Sequence, residues 1–287
     1  MKLHFMKYRK LSYWVSAALV LLSLISLAVK GLNYGIDFAG GIAMEVKPTA
    51  PEYTVDKMRH DLAAFSPELQ SVDGNAILIR VGLPKGATDT EQNARVREIK
   101  NILGTRVEYS QVQIVGPKIG GELVRGGILA VLVSFILMAV YIWIRYRGGY
   151  AVGSFVSLVL DFILMFGFFS ITGLEFNQTA IAIVLMGVGY SINDKVVNYD
   201  RIDENIKKYH KMPMDDLIDL SVNEMLSRTL MTSISTILAL MGLFVFGGIA
   251  LRDFAIAMTF SIVMGTLTSI YISNVILYHF NLRETKY

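Results

Sequence analysis

Three ionisable positions stand in or beside long apolar runs of this 287-residue chain, and they are its strongest candidates for chemistry. Asp161 interrupts the apolar stretch 150–174. Asp194, followed by Lys195, sits in the stretch that opens near Phe176, and Arg228 heads the run from Thr229 to Leu251. An unpaired charge at the centre of a bilayer costs about 2.5 to 3.5 kcal/mol even on insertion scales, so each position needs a partner or a use. Asp194 lies roughly 7 to 8 Å inside the charged end of its run at Asp200 and Arg201, and Arg228 flanks the next run on the same side. Its guanidinium can reach inward to that carboxylate or snorkel outward to lipid headgroups, and both readings stand. A carboxyl group in low dielectric resists ionisation whereas a nearby guanidinium favours the charged form. Separating the two would couple proton uptake to helix movement. For Asp161 the plainer expectation is a protonated carboxyl hydrogen-bonded to a neighbouring helix.

Other chemistries have no residues to carry them. Cysteine is absent, which removes disulfides, thiolate catalysis and Cys-ligated metals. The four histidines, His4, His60, His210 and His279, are too scattered for metal-ligand spacing, and no metal site is expected. No Gly-x4-Gly-Lys-Ser/Thr loop, Gly-x-Ser-x-Gly elbow or His-Glu-x-x-His pair is present, so neither nucleotide-driven pumping nor hydrolysis is expected and no catalytic residue is assigned. A net charge of +3 without long basic runs disfavours nucleic-acid binding.

A composition of 53% apolar and 18% charged residues fits a bilayer protein better than a soluble globule. A spanning helix needs about 20 mostly apolar residues. Six such runs are present: Leu11 to Val29, Gly126 to Ile144, Tyr150 to Leu174, one from near Phe176 to Asp200, Thr229 to Leu251, and one within Phe254 to Leu282. Lys2, Lys7, Arg9 and Lys10, then Arg145 and Arg147, then Arg201, Lys207, Lys208 and Lys211, then Arg283 and Lys286 all fall on one side, so both termini are expected in the cytoplasm. The first run is longer than a signal-peptide core, and Val29-Lys30-Gly31 offers no small-x-small cleavage site, which favours an uncleaved anchor. Gly149 and Gly153 form a small-xxx-small pair suited to close helix packing. The expected organisation is 1–31 as cytoplasmic N-terminus and first helix, 32–121 as an extracytoplasmic domain, and 122–287 as helices two to six.

Within 32–121 the pattern becomes that of a water-soluble fold. Ile42 to Lys47 alternates like a strand, and Thr54 to Phe65 has a Thr cap and helical spacing. Leu69 to Val72 and Ala76 to Val81 flank the turn Asp73-Gly74-Asn75. Asp89 to Leu103 reads as a helix ended by Gly104, and Arg106 to Val115 as a last strand. This order predicts a small α+β, ferredoxin-like domain.

Several segments resemble the SecF family, the smaller half of SecDF protein-translocation complexes in the resistance-nodulation-division (RND) superfamily. They are Gly35-Ile36-Asp37-Phe38-Ala39-Gly40-Gly41 and Val115-Gly116-Pro117-Lys118-Ile119-Gly120-Gly121-Glu122-Leu123 at the domain borders. Further in are Gly189-Tyr190-Ser191-Ile192-Asn193-Asp194 with Tyr199-Asp200-Arg201-Ile202 and Glu204-Asn205, then Arg228-Thr229-Leu230-Met231-Thr232-Ser233, Phe246-Gly247-Gly248 and Ser269-Ile270-Tyr271. The resemblance covers nearly the whole chain in order. It implies an α-helical membrane protein, half of a twelve-helix RND assembly, in a bacterial inner membrane. It implies SecD as partner, the SecYEG channel, YajC or YidC beside it, a translocating preprotein and membrane lipid. The energy source would be the proton gradient, with no cofactor. It puts the family's proton-coupling residues on Asp194 and Arg228, leaving Asp161, Asn193 and Lys195 as secondary intramembrane polar positions.

Leu160, Lys195 and Asp203 depart from the family pattern, where a His, a small hydroxyl residue and a basic residue are usual. Two rival readings remain open: a passive scaffold for the translocase, and half of an RND small-molecule exporter, against which the modest 32–121 domain argues.

Overall fold

In the computed structural model the described residues are 3–50, 52–72, 75–84, 87–146, 148–280 and 282. Lys2, Arg147, Arg283 and Lys286 of the basic flanks, and the Asp73-Gly74 half of the hairpin turn, lie outside them. Two compact units are formed: Met1–Asn33, Val131–Leu174 and Thr179–Tyr287 make a helical unit, and Tyr34–Ala130 with Glu175–Gln178 make a sheet unit.

The helical unit is built from α1 (Arg9–Val29), the latter part of α5 (Pro117–Arg145), α6 (Gly149–Thr172), α7 (Gln178–Lys208), α8 (Met214–Phe246) and α9 (Gly248–Leu267). After α9 the chain widens into a π-helical segment, Thr268–Ser273, and closes with α10 (Asn274–Leu277). Six helical stretches among the described residues are long and apolar enough to cross a membrane, and the chain is a multi-pass membrane protein. Their packing uses small residues where two backbones approach. A Cβ on Gly167 would collide with Ser23 of α1, and one on Gly187 of α7 would collide with Ser261 of α9. Ser26 and Ser170 share a buried hydrogen bond of 2.8 Å between α1 and α6. Such contacts replace the hydrophobic drive that helices lack in lipid.

The sheet unit holds α2 (Ile36–Ala39), β1 (Gly41–Pro48), α3 (Val55–Asp61), β2 (Glu68–Val72), β3 (Ala76–Val81), α4 (Asp89–Leu103) and β4 (Val107–Val115). The strands pair antiparallel in the order β2-β3-β1-β4, the split βαβ arrangement expected of a ferredoxin-like domain. Met44 of β1 faces Ile79 on one side and Val112 on the other, and a bulge between Glu45 and Val46 shifts the second register. Ile42, Met44, Val46, Ile79, Met58, Leu62, Ile99 and Leu103 form a core with no exposed surface. Thr88 and Glu91 make a reciprocal capping box that starts α4. Asn75, at φ 68, supplies the positive dihedral the β2–β3 reversal needs.

The glycine-rich borders meet inside this unit. Gly40, at φ 71, turns the chain from α2 into β1, and Gly120 lies so close that an added Cβ would sit 3.2 Å from the Phe38 carbonyl. Asp37 Oδ2 accepts from the Gln178 N–H at 3.1 Å, and Arg80 of β3 is ion-paired to Glu175. Burial raises the Glu175 pKa above the ordinary glutamate value, with the Arg80 charge opposing.

Candidate intramembrane polar site

Asn193, Asp194 and Lys195 point in successive directions around α7, because adjacent residues of a helix point about 100° apart. Asp194 and Lys195 are buried whereas Asn193 is exposed, so Asn193 has no place in the enclosed site. Ser191, Asp194, Lys195 and Asn198 follow a helical spacing and make one enclosed polar stripe along α7. Facing it are Asp161, midway along α6, and Thr266, Thr268, Ser269 and Ser273 at the end of α9 and in the π-helical segment, all buried. A π-helical turn carries an extra residue per turn, which brings closely spaced hydroxyls to one side.

Asp161 is the most heavily bonded member. Its Oδ2 accepts from Lys195 Nζ at 2.6 Å and from Ser191 Oγ at 2.7 Å, and its Oδ1 accepts from Thr268 Oγ1 at 2.6 Å. Lys195 Nζ also donates to Ser191 Oγ. Asp161 is hydrogen-bonded to neighbouring helices as expected, but an ion pair with Lys195 takes the place of the expected neutral carboxyl. Lys195 is wholly enclosed, and an ammonium there is tolerable only because a carboxylate and a hydroxyl meet it. Farther along α7, Asn198 Nδ2 donates to Ser269 Oγ at 3.2 Å and Ser273 Oγ donates to the Tyr199 hydroxyl at 2.8 Å.

Asp194 is built differently. It is buried, yet its Oδ2 has no hydrogen-bond partner among the described residues. The nearby cations that act on it are Lys195 and Arg228, and Thr266 offers it a hydroxyl. Arg228 is exposed on α8 and makes no ion pair with Asp194, nor with any other described carboxylate. Of the two courses open to its side chain, a closed salt bridge to Asp194 is not the one seen.

The arrangement can therefore hold a charge in an apolar surround and exchange a proton at one under-satisfied carboxylate. No group of three or more metal-ligating side chains occurs among the described residues. Ser191 and Thr268, the hydroxyls that complete the Asp161 site, carry no charge and escape a search for ionisable residues. Ser191 is signalled by the helical spacing of the polar positions 191, 194, 195 and 198, whereas no local pattern signals Thr268. Asp200 and Arg201 lie farther along α7, which continues past them to Lys208: Asp200 pairs with Arg145 at 2.7 Å and Arg201 with Glu224 at 2.7 Å.

The comparisons with known proteins agree with this architecture. The family described as protein export membrane protein SecD/SecF, C-terminal, matches residues 95–283, and the SecD/SecF GG motif matches residues 25–52. The protein translocase subunit SecF of Rickettsia rickettsii is 42% identical over 286 residues, covering 95% of this chain and 90% of its own. That of Rickettsia prowazekii is 40% identical, covering 98% and 91%. Among solved structures, SecDF of Thermus thermophilus, described as a translocon-associated membrane protein, superposes with a TM-score of 0.83 at 33% identity over 96% of this chain. A SecDF structure in a super-membrane-facing form gives 0.69 at 32% identity over 97%. This chain spans 38% of each of those longer chains. Matched along nearly its whole length by translocase subunits of its own size, the chain belongs to the SecF family.

Proposed function

We propose that this chain works as the SecF half of a SecDF-type complex and couples the proton motive force to protein export, with Asp194 as the group that gains and loses the proton. The observation that carries the reading is the contrast between two enclosed carboxylates: Asp161 has three donors, whereas one oxygen of Asp194 has none. A buried carboxylate oxygen without a donor is relieved by taking up a proton or by drawing in a cation. Arg228, exposed and unpaired on α8, is the cation free to approach and withdraw. Proton uptake at Asp194 would thus shift α7 relative to α8 between two states.

The wider setting follows from the same reading. Apolar side chains cover the outward faces of α5 and α8, as at Leu132, Leu137, Met231 and Leu238, and SecD would lie against part of that surface with lipid on the rest. The SecYEG channel, YajC or YidC, and the preprotein would complete the assembly in a bacterial inner membrane, with both termini cytoplasmic. A scaffold would need no carboxylate left unsatisfied inside the membrane.

The test is gradient-driven translocation in vesicles holding the complete complex. Asp194→Asn keeps the shape and removes the titrating group. It should abolish stimulation by the proton gradient while membrane insertion and SecD binding persist. Normal stimulation with Asn at this position would make Asp194 structural and favour the scaffold.

A further inference from the structure

The polar site where α6, α7 and the π-helical segment meet encloses two carboxylates, Asp161 and Asp194, and one ammonium, Lys195. One cation cannot serve two ionised carboxylates fully, so its position decides which of them is compensated. Here it is committed to Asp161 by a 2.6 Å bond. That commitment is reinforced from two sides, because Ser191 and Thr268 hold the Asp161 oxygens at 2.7 and 2.6 Å. Yet Lys195 follows Asp194 directly in the chain and is the foremost cation acting on it, while Asp194 Oδ2 stays without a partner.

We propose that Lys195 is a shared counter-ion, held by Asp161 when Asp194 is protonated and drawn to Asp194 when that carboxyl ionises, so that Asp161 acts as a positioning residue for Asp194. The inference rests on the reading of Asp194 as the titrating group. Lys195 stays protonated throughout, and only its acceptor changes. The proton that comes and goes is carried by Asp194 alone. The other groups around Asp194 do not duplicate the role. Tyr190 is one turn back on α7, Arg228 is exposed on α8, and α9 offers Thr266, its own Arg252 and Asp253 lying in its first turns. From α6 the only charge is Asp161. The handover would tie α6 to α7 in one protonation state and release it in the other.

Carbodiimide labelling of the purified complete complex tests this, since a hydrophobic carbodiimide reacts with protonated carboxyl groups and mass spectrometry resolves the site. At neutral pH, Asp161→Asn should free Lys195 for Asp194 and cut labelling of Asp194 by about tenfold or more, as a cation moving within contact of a carboxyl does. Adding Lys195→Ser should restore it, a rescue that a purely architectural ion pair would not give. Thr268→Val, which removes one donor to Asp161 and leaves every charge in place, should lower labelling by a smaller factor. It decides the question alone if Asp161→Asn does not assemble. Unchanged labelling in these variants, or a loss that Lys195→Ser does not reverse, overturns the proposal. Labelling needs no translocation. If Asp194→Asn still supports gradient-driven export while the labelling pattern holds, the coupling reading fails and the shared counter-ion stands.

Discussion

The sheet unit and the helical unit are assembled by opposite rules. In the sheet unit Ile42, Met44, Met58, Leu62, Ile79, Ile99 and Leu103 are fully enclosed, and Glu91, Arg97, Glu98 and Lys100 of α4 face outward. In the helical unit Leu132, Ile136, Leu137, Trp143, Met231 and Phe246 face outward, whereas Ser191, Lys195, Asn198, Thr268 and Ser273 are enclosed. The difference is one of solvent. Removing apolar surface from water stabilises the sheet unit by about 25 cal/mol per Å². Leucine gains nothing by leaving lipid for protein, so the helices are held by close small-residue contacts and hydrogen bonds. A polar interior is then the means of association as well as the place where charge can be handled.

That contrast can be broken most severely at the ion pair. Lys195→Met leaves Asp161 enclosed without its cation and should destabilise the helical unit by about 3 to 5 kcal/mol, with Asp161→Asn/Lys195→Met recovering much of the loss in thermal unfolding of the detergent-solubilised protein. Ile79→Ala in the sheet core should cost about 2 to 5 kcal/mol in the same measurement. Leu137→Ala, on the outward face of α5, should stay within about 0.5 kcal/mol. Two glycines of α7 sharpen the rule for helix contacts. Gly187→Ala drives a methyl into Ser261 and should cost about 1 to 3 kcal/mol. Gly189 has open space around it, and Gly189→Ala should be neutral or slightly stabilising through helix propensity.

The smallest effect belongs to the sheet unit. The folded-state pKa of Glu175 is raised by burial, so the folded protein binds the proton more tightly than the unfolded chain. The resulting stabilisation is complete below the ordinary glutamate value and is lost as the pH rises through the folded-state value. Glu175→Gln should flatten that part of the stability-against-pH curve, as read from amide-exchange protection of β3.

Much of the architecture was legible in the chain. Ala76–Val81 and Asp89–Leu103 fall where the hairpin turn and Gly104 place them. Helix lengths were less legible where charge interrupts them. An uncharged run starts at Thr229, yet α8 begins at Met214, because Leu217, Ile218 and Val222 are buried on one face while Asp215 and Asp216 occupy its first turn. Likewise α5 begins at Pro117, ahead of the apolar run from Gly126. The site was legible as residue types and hidden as pairings. Which carboxylate receives Lys195 depends on the rotation of α6 against α7 and on the π-helical turn, and neither is written in any local pattern.

If Asp194 is the group that couples proton uptake to movement, its protonation should shift α7 against α8. Because this chain has no cysteine, spin labels placed at Met186→Cys on α7 and Met231→Cys on α8, both outward-facing, before assembly with its partners can report their separation in the complete complex in vesicles. Lowering the pH should redistribute the measured distances in the otherwise wild-type protein and leave them fixed with Asp194→Asn. A pH-independent distribution in the wild-type background, or the same redistribution with Asn at 194, would contradict it.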